Sequence, residues 1–160
     1  MPNESTPDPD LVKICVELPH HWWLKGESFW AQPLGQDLYR LENVPFCAYD
    51  LNFGDVVQAT ADREDLKPEI RAVVERSGHQ TLRIRFSDPL NREAQEPVIA
   101  ALQALGGELE RANGQFLAID IPPGVSIDAL RDALDEQVDA GALEYETCEA
   151  RVPGSFDAAP

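Results

Sequence analysis

The chain has 160 residues, 43% of them hydrophobic and 26% charged, the composition of a folded globular protein with enough material for a sizeable core. Its 13 basic against 29 acidic residues leave a formal net charge of -16, which repels phosphate backbones and anionic lipid, so neither nucleic acid nor a membrane surface is expected as a partner. The longest apolar runs fall far short of the roughly 20 residues that cross a bilayer, and the opening MPNESTPDPD has no basic or apolar region of a secretion signal, so a cytoplasmic protein is expected.

Residues 1–10 hold three prolines and three acids with little to bury, and read as a disordered tail. Residues 11–18, LVKICVEL, alternate as a first strand that Pro19 stops. The adjacent His20 and His21 point to opposite sides of an extended segment, which does not suit one metal. Trp22 and Trp23 follow, and two neighbouring indoles in water are costly, so at least one is expected to cap the core or a partner surface.

Residues 27–34 and 37–43 form a hairpin turning at Leu34-Gly35-Gln36-Asp37, with Tyr39 and Leu41 on one face of its second strand and Arg40 and Glu42 on the other. A tight loop at Asn52-Phe53-Gly54-Asp55 launches residues 56–61. Residues 69–76 and 81–86 complete six short strands without helical period, which predicts a small bent sheet or barrel.

Three patterns in this half, WAxPLG at residues 30–35, YRLxNVPFxAxxxxxGDVV at 39–57 and VVERSGHxTLR at 73–83, resemble the bacterial family called domain of unknown function 4265. The resemblance runs from about Leu11 to Cys148. It implies a shared fold and a bacterial source, and brings no activity or catalytic residues with it.

The second half changes period. Residues 91–105 read as a helix with Val98, Leu102 and Leu105 at helical spacing and Gly106-Gly107 as its stop; Pro97 fits only in a first turn, which moves the expected start to Glu96. Residues 108–112 and 115–121 flank Asn113-Gly114 as a hairpin. Ser126 caps a second helix whose Ile127, Leu130, Leu134 and Val138 form an apolar stripe, and residues 143–149 form a last strand. Counted from residue 81, the order is β-α-β-β-α-β, a ferredoxin-like unit. The last strand then pairs with the first, setting Arg83 and Arg85 opposite Glu144 and Glu146 on the uncovered face.

The expected architecture is therefore α+β: a disordered tail at 1–10, a small antiparallel β-barrel or bent sheet at 11–78, a ferredoxin-like (split βαβ) unit at 79–151 and a flexible tail at 152–160, with the strand at 81–86 open to sharing. The three cysteines, Cys15, Cys47 and Cys148, are odd in number and widely spaced, which suits reduced core residues rather than disulfides or a zinc site. No cofactor or metal is expected.

No nucleophile elbow, metalloprotease motif or phosphate loop is present, and Ser77 and His79, flanking Gly78, suit a turn better than a nucleophile and base. The leading expectation is a non-enzymatic acidic module of the immunity or antitoxin kind that covers a basic protein. Its surface is Asp128, Asp132, Asp135, Glu136 and Asp139 on the second helix, interrupted only by Arg131. The alternative is a small-molecule sensor with ligand between the two halves, drawing on Trp22, Trp30, Tyr39, Arg40, Phe46, Asp55, Arg76 and His79. An enzyme ranks third.

Overall fold

The structure is a computed structural model that describes residues 10–88 and 90–159. The N-terminal tail reading falls, but for Asp10, outside the described residues.

Five strands, β1 (Val12–Glu17), β2 (Gly26–Gly35), β3 (Leu38–Leu41), β4 (Val56–Thr60) and β5 (Glu69–Glu75), follow one another around a closed barrel. Neighbours are antiparallel, and a parallel bridge at Cys15 and Glu69 closes the ring. Alternation decides what faces inward: Ile14, Phe29, Ala31, Leu41, Val57 and Ala59 are fully buried, and Trp30 and Gln58 between them face outward.

The remaining strands, β6 (Gln80–Phe86), β7 (Glu108–Arg111), β8 (Phe116–Ile121) and β9 (Leu143–Thr147), form a second antiparallel sheet in the order β7-β8-β6-β9. Helices α1 (Arg92–Ala104) and α2 (Ile127–Asp139) pack on the face carrying Leu82, Ile84, Phe86, Leu117, Ile119 and Ile121. Among the described residues β6 pairs with β8 on one side and β9 on the other, so the barrel does not share it.

Helix α1 starts earlier than the position of Pro97 predicts. Asn91 accepts a hydrogen bond from Ala94 N at 2.9 Å, which caps the helix and leaves Pro97 inside it. Gln95 explains the tolerance: it is fully buried and donates to Gly114 O at 2.9 Å, tying the helix to the β7-β8 turn. Gly106, at φ 102, ends the helix as expected, and Gly107 donates to Leu102 O at 3.1 Å. In α2, Leu130 and Leu134 are buried, whereas Val138 at the far end of the expected stripe is 41% exposed.

Arg83 pairs with Glu146 and Arg85 with Glu144 in the strand register, as alternation requires. The face they share is only partly open. The barrel's loop at residues 44–55 and the C-terminal segment lie over the Arg83 end, and Arg83 is 0% exposed. That segment is not the flexible tail expected at 152–160, since Ser155 and Asp157 are both buried.

Candidate functional site

The loop at residues 44–55 is held from two sides. The Glu27 carboxylate on β2 accepts from the backbone N–H groups of Phe46 (2.6 Å), Cys47 (3.0 Å) and Ala48 (2.8 Å). From the sheet, Arg83 Nη1 donates to Ala48 O at 2.8 Å and its Nε donates to Glu146 Oε2 at 2.8 Å. Asp50 N donates to Cys148 O at 2.7 Å, adding a backbone tie to the end of β9. A short acceptor-rich anchor and a buried guanidinium thus fix Phe46 and Tyr49 at the seam between barrel and sheet.

The Tyr49 hydroxyl donates to Glu146 Oε1, and the Arg83 guanidinium carbon sits 4.6 Å from the Tyr49 ring centre. Phe156 N donates to the same Glu146 oxygen at 2.9 Å, drawing the C-terminal segment into the seam. Arg151 Nε donates to Asp157 Oδ2, and Trp22 N donates to Asp157 O at 2.9 Å, which fixes the His21-Trp22-Trp23 loop to that segment. His21 Nδ1 accepts from Trp23 N and Leu24 N, so its ring proton is on Nε2.

These ties leave a cleft of about 400 Å³, walled by Trp22, Trp23, Phe46, Phe116 and Phe156. The Phe116 centroid lies 6.4 Å from that of Phe46 and 6.2 Å from that of Phe156, while the two indoles are 5.9 Å apart. Arg85 Cζ stands 4.3 Å from the Phe156 ring centre. A smaller cavity of about 170 Å³ adjoins it and shares His21, Cys47, Tyr49 and Asp157. Trp22 and Trp23 are 51% and 63% exposed, so the pair rims the opening rather than capping the core.

Of the eight residues expected to line a ligand site, Trp22 and Phe46 meet here and the other six do not. Trp30 lies outside the barrel beneath Lys13, whose Nζ is 4.5 Å from the ring centre. Tyr39 packs against the barrel interior, and Arg40 Nη1 donates to Gln32 Oε1 at 3.0 Å rather than to an acid.

Asp55, Arg76 and His79 form a separate junction. Buried Asp55 accepts from Asn52 N at 3.0 Å and Ser77 N at 2.9 Å, and Arg76 Nη1 is 3.6 Å from its carboxylate. His79 Nδ1 lies 2.8 Å from Asp120 Oδ1, and its ring sits against Phe53. Burial raises the Asp120 pKa, with His79 pulling the other way. Ser77 Oγ donates to Phe53 O at 2.6 Å and accepts from the His79 backbone N–H, so its hydroxyl has no bond to the imidazole.

The thiols are no better placed for nucleophilic chemistry. Burial, reinforced by Glu27, pushes Cys47 up to about 11, and burial pushes Cys148 up to about 12. The acids expected to face a partner, Asp128, Asp132, Asp135, Glu136 and Asp139, are all exposed along α2, with Asp135 Oδ1 accepting from the Tyr145 hydroxyl at 2.6 Å.

Sequence reasoning missed Phe116 and Phe156 as cleft walls and named Trp23 only as a neighbour of Trp22. Phe116 carried a signal, as the aromatic on the helix-free face of the sheet. Phe156 carried none, being in a tail without periodicity.

No helix among the described residues is long and apolar enough to cross a membrane. The fold is similar to that of a hypothetical protein from Neisseria gonorrhoeae known from a crystal structure, with a TM-score of 0.71 at 19% identity, covering 89% of this chain and 97% of that one. No curated protein matches the chain. The family described as domain of unknown function (DUF4265) matches residues 27–145, within the span its motifs suggested, and the chain belongs to that family.

Proposed function

We propose that the protein is a non-enzymatic binding module whose ligand occupies the aromatic cleft at the seam of barrel and sheet. The observation that carries this reading is the cleft's construction. An open cleft of about 400 Å³ is walled in large part by five aromatic rings from four separate stretches of chain, and hydrogen bonds fix the backbone around them. Pockets of this size with apolar walls and few polar groups are the usual form of a small-molecule site. The element order from β6 to β9 and the strand order β7-β8-β6-β9 support reading the second sheet as a ferredoxin-like unit. The protonated thiols and the unactivated Ser77 support a role without bond chemistry, and the three free cysteines suit the reducing cytoplasm.

The test is a thermal-shift screen of metabolites against the intact protein and a Phe46→Ala, Phe116→Ala variant. A ligand present at 100 times its dissociation constant adds about 2.7 kcal/mol of stability. The reading expects at least one compound that stabilises the parent and not the variant. It is lost if no compound shifts the parent, or if every shift persists in the variant.

A second reading rests on α2, where five exposed carboxylates face away from the core. They would dock a basic protein with fast, salt-sensitive association. Changing all five to Asn or Gln should abolish a low-salt complex recovered from the source cell; a complex that survives the change removes this reading.

A further inference from the structure

Building on the cleft reading, we infer that its ligand carries a quaternary or fully methylated ammonium head group. Arg83 lies over Tyr49 and Arg85 over Phe156, so two rings at this seam already hold a cation against one face. Trp22, Trp23, Phe46 and Phe116 hold none among the described residues. The negative faces of tilted aromatic rings attract a cation that sheds its water easily, and indoles do so most strongly.

Glu146 is taken by Arg83, Tyr49 and Phe156 N. Asn113 Oδ1 accepts from Gln115 N and Phe116 N, and His21 Nδ1 accepts two backbone N–H groups. A head group rich in N–H donors would find these acceptors occupied, and Asp157 Oδ1, partnerless among the described residues, shut away from solvent, so it would lose hydrogen bonds it had in water. A quaternary ammonium has no N–H to satisfy.

Asp157 borders both the cleft and the smaller cavity, and its Oδ1 is buried with no hydrogen-bond partner among the described residues. Arg151 pairs with the carboxylate through Oδ2. The charged side chains at the seam pair off, Arg83 with Glu146, Arg85 with Glu144 and Arg151 with Asp157, so the chain's net charge of -16 sets the sign of the longer-range potential, which favours a cation over an anion.

Three probes share one tert-alkyl shape and differ in charge: choline, 3,3-dimethylbutan-1-ol and 3,3-dimethylbutanoate. Each is titrated into the intact protein by tryptophan fluorescence, in parallel with Trp23→Ala and Trp30→Phe variants. Choline should bind at least about tenfold more tightly than the neutral alcohol, and the carboxylate should bind more weakly still. Trp23→Ala should weaken choline binding, and Trp30→Phe should leave it unchanged. Equal or tighter binding of the alcohol or the carboxylate overturns the inference while leaving a ligand cleft standing. Choline binding that ignores Trp23→Ala overturns it as well. If none of the probes binds, the inference falls, and if the metabolite screen is also silent the cleft reading falls with it.

Discussion

Arg83 on β6 and Glu146 on β9 face each other in register, with Arg83 Nε 2.8 Å from Glu146 Oε2 and the arginine 0% exposed. Arg83 also donates to Ala48 O in the barrel loop, and Glu146 also accepts from Tyr49 and from Phe156 N. One ion pair therefore ties barrel, sheet and C-terminal segment together. Burial opposes the charge on Arg83, and Glu146 is among the neighbours that more than offset it, so the arginine is held charged above its ordinary pKa.

Breaking the pair from one side should be severe. Arg83→Met leaves the Glu146 carboxylate buried without its cation, a loss of about 3–5 kcal/mol. Glu146→Gln added to it keeps an oxygen for Tyr49 and Phe156 N and removes the stranded charge, so the double variant should be more stable than Arg83→Met alone. Urea unfolding decides the point. A double variant as unstable as the sum of the two singles would show that the carboxylate and guanidinium are not coupled.

The thiols should be slow to alkylate. At pH 8 an ordinary thiol is about a quarter thiolate and one at about 11 is about a thousandth, so iodoacetamide should reach native Cys47 about two-hundredfold more slowly than an unfolded cysteine. Cys148, higher still and buried, should trail it. Peptide mapping of the alkylated protein over a pH series gives the rates, which should rise about tenfold per pH unit below the thiol pKa. A Cys47 rate matching that of a free cysteine at pH 8 would refute the assignment.

Local sequence made much of this fold legible. The strand and helix elements lie close to where alternation, capping and turn residues set them, because each is decided within a few residues. Even the facing of Arg83 and Arg85 with Glu146 and Glu144 follows, since element order places β6 beside β9 and alternation fixes the side. What covers that side was not legible. Tyr49 and Glu146 are 97 positions apart, and Phe156 enters the seam through one backbone bond and ring contacts with no sequence period. Pro97 misled for a related reason: the helix around it is tied by Gln95 to Gly114 O and Arg111 of the β7-β8 hairpin, contacts that no local rule sees.

Asp120 should make the protein less stable as pH rises. Its folded pKa is raised by burial above the ordinary 3.8, so the folded state holds a proton that the unfolded chain has released. The stability this group contributes is complete below 3.8 and is lost as pH climbs through the folded value. Glu110, raised by its own burial and by Asp120, acts in the same direction. Asp120→Asn keeps an acceptor for His79 and cannot ionise. Its melting temperature should exceed that of the parent at pH 7, by about 2–4 °C for each kcal/mol gained, and the gap should close toward pH 4. A parent that melts higher at pH 7 would show that the charge on Asp120 serves His79 more than burial penalises it.

The β2-β3 turn offers a gain in stability. Gln36 and Asp37 have φ of 57° and 63°, the left-handed region in which a side chain costs about 1–2 kcal/mol per residue. Two-residue hairpin turns with both central residues at positive φ favour glycine at the second position. Asp37 is exposed, and its part in the ladder is a backbone oxygen that accepts from Ala59 N at 2.9 Å, which any residue supplies. Glycine gives back part of the gain because its unfolded chain is freer. Asp37→Gly should therefore stabilise by about 0.5–1 kcal/mol, whereas Asp37→Val, branched beside the backbone, should destabilise by at least as much. Paired urea melts at pH 7 measure both, and a glycine variant weaker than the parent would mean that the aspartate side chain holds the turn.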